Sequence, residues 1–266
     1  MTCLRINADD FGMSPGANFG IEEALRRRAI DSVSFMVNTP YSGAALEIQK
    51  EFPDVQCGIH LNFAYGRALS GIGPLTDSKG LFKYGFSGYL INSRRLVAEI
   101  RCEAELQINW LTERGIKISH IDSHRHIHMI PAFYNICREL ARNYAIPHIR
   151  VMNEPFRLPK SFKDYCAIIR SGGLPKWFIL QALCHSFRQE SKEQFYSILY
   201  TGQVTETFVK KIAAIPGCKE VMVHPGHGRI DRAADFTSVA EKKYRVDSRR
   251  DLELDACIRF AEKGTN

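Results

Sequence analysis

Four clusters of ionisable side chains in the 266 residues could do chemistry. The first is Asn7-Ala8-Asp9-Asp10-Phe11-Gly12, directly after an apolar run. Adjacent carboxylates there repel each other and are costly to desolvate, so they call for a cation, a proton or water. Neighbouring residues of a strand face opposite sides, and both acids reach one cavity only through a turn, which Phe11-Gly12 can supply. The same residues also read as a solvated strand end with Asp as a helix cap. The second cluster is Gly58-Ile59-His60-Leu61-Asn62, where a lone His in an apolar strand is either a ligand or a hydrogen-bonded core residue. The third, His120-Ile121-Asp122-Ser123-His124-Arg125-His126-Ile127-His128, gathers His120, His124, His126 and His128 at a strand end. The fourth is Val221-Met222-Val223-His224-Pro225-Gly226-His227. Two His and one Asp make a three-ligand site with positions left for water and substrate. Such a set suits Zn, Fe(II), Co or Mn, while Mg favours more oxygen. Asp122 is close enough in sequence to hold the other nitrogen of a ligating His. A second Asp and a further His then remain for proton transfer.

To bring these clusters together the chain needs a repeating scaffold, and short β-branched runs alternating with longer amphipathic stretches provide one. Strands are predicted at Leu4 to Ala8, Ser32 to Asn38, Gln56 to Leu61, Ile118 to Asp122, His148 to Met152, Tyr196 to Tyr200 and Glu220 to His224. Helical periodicity is clearest in Gly20 to Arg28, Ala44 to Glu51, Arg94 to Arg114, Ala132 to Asn143 and Asp251 to Glu262, with Pro131 placed to open a helix. This rhythm predicts an α/β fold in one domain spanning 1–266, either a (β/α) barrel or an open parallel sheet. In a (β/α) barrel, active sites form at the carboxyl ends of the strands, where all four clusters fall. Two stretches break the rhythm. Phe63 to Gly88 is long and Gly-rich, the pattern of a functional lid, and ends in Phe82, Tyr84 and Phe86, which read either as core residues or as a sugar-stacking face. Asn153 to Gln194 reads as an insertion that caps a site or forms a subunit contact.

The formal net charge of +7 and pI near 9.0 admit an anionic partner. Yet the basic clusters Arg26-Arg27-Arg28, Lys242-Lys243 and Arg249-Arg250 carry no interleaved aromatics, so no nucleic-acid partner is expected. The eight cysteines form no C-x-x-C pair and no disulfide framework is expected at this size. No segment approaches the roughly 18 unbroken apolar residues of a membrane span, and acid stands near the start where a signal peptide would be apolar. The expectation is a cytoplasmic protein.

Five segments in order, Asn-Ala-Asp-Asp-Phe-Gly at 7–12, Ser-Val-Ser-Phe-Met-Val-Asn at 32–38, Gly-Ile-His-Leu at 58–61, His-Ile-Asp-Ser-His-Arg-His-Ile-His at 120–128 and Val-Met-Val-His-Pro-Gly at 221–226, resemble the YdjC-like carbohydrate deacetylases. That family includes chitooligosaccharide deacetylase and the hopanoid-biosynthesis-associated deacetylases. The resemblance implies a distorted (β/α) barrel of about seven parallel strands and hydrolytic removal of N-acetyl groups from amino sugars with one divalent metal ion. By motif position, Asp10, His60 and His124 would hold the metal, Asp9 would be the general base and His224 the general acid. The family is associated with Mg2+, and the ligand chemistry also accepts Zn2+. A chitooligosaccharide-like or lipid-linked glycan is the implied substrate and a homodimer the implied assembly. Arg150, at the end of a predicted strand, is a candidate for sugar hydroxyls or an anionic substituent, and reads equally as one half of a surface salt bridge. Two other readings stand beside this one. A phosphoester hydrolase in the same barrel fits the basic pI but lacks a G-x-x-x-x-G-K loop. A catalytically idle sugar-binding module would leave the clusters purely structural.

Overall fold

The computed structural model describes residues 3–156, 168, 172–191, 193–232 and 239–264. Its strands are β1 (Cys3–Phe11), β2 (Ser32–Phe35), β3 (Gln56–Leu61), β4 (Ile118–Ser123), β5 (Gln194–Tyr196) and β6 (Cys218–Val223). The helices used below are α1 (Pro15–Arg26), α2 (Ser42–Glu51), α3 (Phe86–Asn92), α4 (Val97–Thr112), α5 (Pro131–Asn143), α6 (Gly173–Cys184), α7 (Glu206–Ala213) and α8 (Arg249–Gly264). The chain falls into two compact units. One holds residues up to Asp9, Pro15–Ser32 and Val151 onward; the other holds Asp10–Ser14 and Val33–Arg150. Six strands of an α/β fold are described, and the complete barrel of about seven strands expected from the sequence is not confirmed among the described residues.

In the first unit, β6 lies between β1 and β5, parallel to both. Val221, Met222 and Val223 are completely buried, as expected of a parallel strand covered on both faces. Cys3 and Cys218 stand opposite each other in the β1–β6 register and form a disulfide. The sequence carries no sign of it because the partners are 215 residues apart and meet only through strand pairing. The strand predicted at Tyr196–Tyr200 stops instead at Tyr196. Ser197 takes a left-handed φ of +94°, and the next N–H groups turn away from the sheet. Those of Ser197, Ile198 and Leu199 donate to the buried carboxylate of Glu154 at 3.0, 2.8 and 3.1 Å.

Glu154 therefore replaces a strand ladder for three residues. Burial pushes its carboxyl up to about 7, against the pull of those N–H groups and of Lys176. A carboxyl raised on folding keeps its proton in the native state where the unfolded chain has lost it. The associated stability is present at low pH and drains away as pH rises from the ordinary carboxylate range through about 7. The wild-type melting temperature should therefore fall over that interval more steeply than that of Glu154→Gln, as followed by thermal denaturation at a series of pH values. Equal slopes would remove Glu154 as the cause.

In the second unit, β3 lies between β2 and β4, and its parallel register with β4 sets Ile59, His60 and Leu61 beside Ile121, Asp122 and Ser123. The strand predicted at His148–Met152 reduces to a single bridge, Ile121 to Ile149. Pro147 has no N–H to give before it, and after it the Asn153 N–H turns back to the Val151 carbonyl at 2.9 Å, a γ-turn that ends the extended run. Helix α4 buries Ile100, Ala104, Ile108 and Leu111, the i, i+4 stripe of an amphipathic helix. On that buried side Glu103 accepts the N–H groups of Leu69 and Ser70, which pins the long loop after β3. Phe82 and Tyr84 of that loop make ring contacts with Phe63 and Tyr89. Pro131 opens α5 at its first turn, as predicted.

Candidate active site

Strand β1 delivers the first acid by an unusual backbone step. Asp10 has a left-handed φ of 68°, and its carbonyl accepts the Met13 N–H at 3.0 Å to close a turn. Gly12 follows with φ +94°, and a Cβ there would lie 2.3 Å from the Met36 carbonyl oxygen. The turn thus needs a glycine at 12, while Asp10, a short polar residue, is among the side chains that tolerate its conformation. Strain of this kind concentrates at functional positions.

Asp10, His60 and His124 each offer a ligand atom, and these atoms all lie within 4.8 Å of one another. Asp10 Oδ1 is 3.0 Å from His124 Nδ1 and 3.5 Å from His60 Nε2. All three residues are buried. The parallel register explains His60: its strand neighbour Asp122 takes the other ring nitrogen, Nδ1, at 2.8 Å. That leaves Nε2 as the nitrogen nearest Asp10. Burial pushes the His124 imidazole down from its ordinary value, against the opposing charge of Asp10, and so favours the neutral form a cation needs. A carboxylate oxygen and two imidazole nitrogens converging in a buried site, one imidazole anchored by a further carboxylate, fit a divalent ion such as Zn2+ well and Mg2+ when water completes the shell.

The remaining histidines of the third cluster do other work. His120 is completely buried, with Nε2 3.0 Å from Ser34 Oγ and Nδ1 2.8 Å from Ser119 Oγ. Its ring fills the space where a side chain on Gly58 would stand, a Cβ there falling 2.2 Å from His120 Nε2. His128 is tied to Ser123 Oγ at 2.6 Å and to the Arg150 carbonyl at 3.1 Å, and so braces the turn that carries His124. Arg125 and His126 take left-handed φ values of 57° within that turn. Arg150 is fully buried, with Nη1 2.6 Å from Asp122 Oδ2, which also accepts Ser34 Oγ at 2.6 Å.

In the first unit, Asp9 is buried and accepts Asn7 Nδ2 at 2.8 Å. His224 follows β6, and its ring keeps some exposure. Two groups there escaped the sequence reading. Glu253 of α8 accepts the His224 N–H at 2.7 Å, with the same oxygen 3.4 Å from His224 Nδ1. Lys176 of α6 bonds Thr201 Oγ1 at 3.3 Å. Burial pushes its amine down to about 8, against the charges of Glu154, Asp9 and Glu253. A charge-rich helix and an unclassified insertion offered no motif by which to find either residue.

An Asp-His-His cluster seated at the ends of strands of an α/β fold could hold a metal ion. Residues 3–259 match the profile of the YdjC-like protein family, and the chain belongs to that family. Over 145 residues it is 40% identical to a carbohydrate deacetylase of Brevibacillus brevis, a match covering 54% of this chain and 57% of that one. It is 36% identical over 150 residues to a carbohydrate deacetylase of Thermoanaerobacter pseudethanolicus, covering 55% and 59%. These matches span little more than half the length of those relatives. A carbohydrate deacetylase of Halalkalibacterium halodurans is 27% identical over 226 residues, covering 84% of this chain and 85% of that one. In fold, the chain is similar to a crystal structure from Enterococcus faecalis named for cellobiose-phosphate cleavage, with TM-score 0.63 and 20% identity over 98% of this chain and 95% of that one. Among the described residues, no helix is long and apolar enough to cross a membrane.

Proposed function

We propose that this protein is a metal-dependent hydrolase that removes the N-acetyl group from an acetylated amino sugar. The observation that carries the reading is the convergence of Asp10, His60 and His124, each positioned by a different stretch of one unit, to within 4.8 Å of one another. The family and its relatives named carbohydrate deacetylase support the substrate class.

A divalent ion held by Asp10, His60 and His124 would supply Lewis acidity toward water and the amide carbonyl. Asp9, next in the chain to a ligand, accepts the proton of the attacking water as the new C–O bond forms. His224 in its protonated form donates to the amide nitrogen as the C–N bond breaks, so that acetate and the free amine separate. Without that proton the nitrogen is a poor leaving group and the amide re-forms. Asp122 and Arg150 set the ring of His60. Arg150, fully buried in this pair, serves the site by holding Asp122.

Acetate release from N-acetylglucosamine, its dimer and longer chitooligosaccharides, run with and without a chelator, tests the proposal. Acetate should appear with at least one of these sugars, stop on chelation and return when Mg2+ or Zn2+ is restored. Chelator-insensitive release would remove the metal from the mechanism, and phosphate release from phosphorylated sugars without any acetate would replace the reaction.

A further inference from the structure

Resting on the reading of His224 as the proton donor, the geometry points to Glu253 as its positioning residue, which selects the nitrogen that carries the transferable proton. Glu253 Oε2 accepts the His224 N–H at 2.7 Å and lies 3.4 Å from Nδ1 of the same residue. The other carboxylate oxygen, Oε1, accepts the Val204 N–H at 3.3 Å. Two backbone groups thus fix the carboxylate before the imidazole meets it. Glu253 is itself 1% exposed, so the interaction is shielded from water and from salt.

The consequence for the ring is specific. A carboxylate beside Nδ1 favours the tautomer with hydrogen on Nδ1, because the alternative would set a nitrogen lone pair against a negative oxygen. Nε2 then gains and loses the proton. When the C–N bond of the substrate breaks, the Nε2 proton passes to the leaving nitrogen. The imidazole returns to neutral with Nδ1–H still facing Glu253, which takes no proton in the step. The surrounding charges suit this arrangement. Lys176, from α6, interacts electrostatically with Glu253, as does Arg249 at the start of α8. These cations make a buried carboxylate tolerable next to a histidine that must spend part of each cycle uncharged.

The test uses the full chain. In protein labelled with 15N-histidine and containing no substrate, neutral His224 should show the Nδ1–H tautomer, and Glu253→Gln should abolish that preference. In acetate release from di-N-acetylchitobiose, Glu253→Gln should lower kcat by about 10²-fold and leave KM within about twofold. Metal content should not change. Glu253→Gln added to His224→Ala should cause no further loss, since the two act as one unit. Glu253→Asp, which keeps the charge, should recover part of the rate and stands in if the Gln variant fails to fold. A wild-type His224 protonated on Nε2, a Gln variant with normal kcat, or losses that multiply with His224→Ala would each overturn the assignment. If the wild type releases no acetate from any sugar, the proposed function fails by itself, and the 15N tautomer of His224 still decides the role of Glu253.

Discussion

Asp9→Asn should lower acetate release by about 10²- to 10⁴-fold, the range a positioned general base contributes, while the purified protein retains its metal. Asp10→Ala, His60→Ala and His124→Ala should instead lose the ion and activity together. The contrast between adjacent residues is what makes the expectation sharp. Asp9 and Asp10 differ by one step along β1, yet Asp10 turns through its left-handed φ toward two imidazoles, while Asp9 accepts an amide hydrogen from Asn7. An Asn at 9 can still take that hydrogen bond through its own carbonyl oxygen, so the strand end is preserved and only basicity is lost. Metal analysis after dialysis, paired with turnover, separates the two classes. One ion per chain in all three alanine variants would sink the ligand set, and a fully active Asp9→Asn would sink the base.

How much of this was legible beforehand differs residue by residue. The pairing of His60 with Asp122 rests on strand register, and the apolar residues around each predicted both strands close to their observed bounds. Gly58 is different, for the space it leaves is filled by His120, a residue distant in the chain, and no local pattern reports such packing. The strand expected at His148–Met152 had the right composition. Pro147 and the γ-turn at Val151–Asn153 reduce it to a bridge, an instance of hydrogen-bond geometry overriding β-propensity. Arg150 drew attention as a cation at a strand end, but its burial against Asp122 depends on tertiary contacts that a single sequence does not encode locally. Glu253 lies in Asp251-Leu252-Glu253, which from sequence alone is an ordinary charged first turn of a helix; only the return of α8 toward the end of β6 gives that one carboxylate a histidine to hold. Motifs therefore revealed the candidate ligands, whereas the groups that orient catalytic side chains emerged from packing.

Asp122→Ala should be the most damaging change outside the proposed ligands and proton-transfer groups, because one carboxylate serves three partners. Its Oδ1 holds His60 Nδ1 at 2.8 Å, and its Oδ2 meets Arg150 Nη1 and Ser34 Oγ, each at 2.6 Å. Deleting it leaves a guanidinium buried without its carboxylate, which costs about 3–5 kcal/mol of stability. It also releases the ring of His60, and losing such an outer partner lowers metal affinity by roughly 10- to 100-fold. The two losses are separable. In Asp122→Leu combined with Arg150→Met, apolar groups replace both charges, so most of the stability should return. Metal affinity should not, because the His60 ring still lacks its anchor. Urea denaturation of the metal-free proteins measures the first quantity and competitive metal titration the second. If the double variant bound metal as tightly as the wild type, Asp122 would be a structural counter-ion to Arg150 and nothing more, and His60 would owe its orientation to the strand alone.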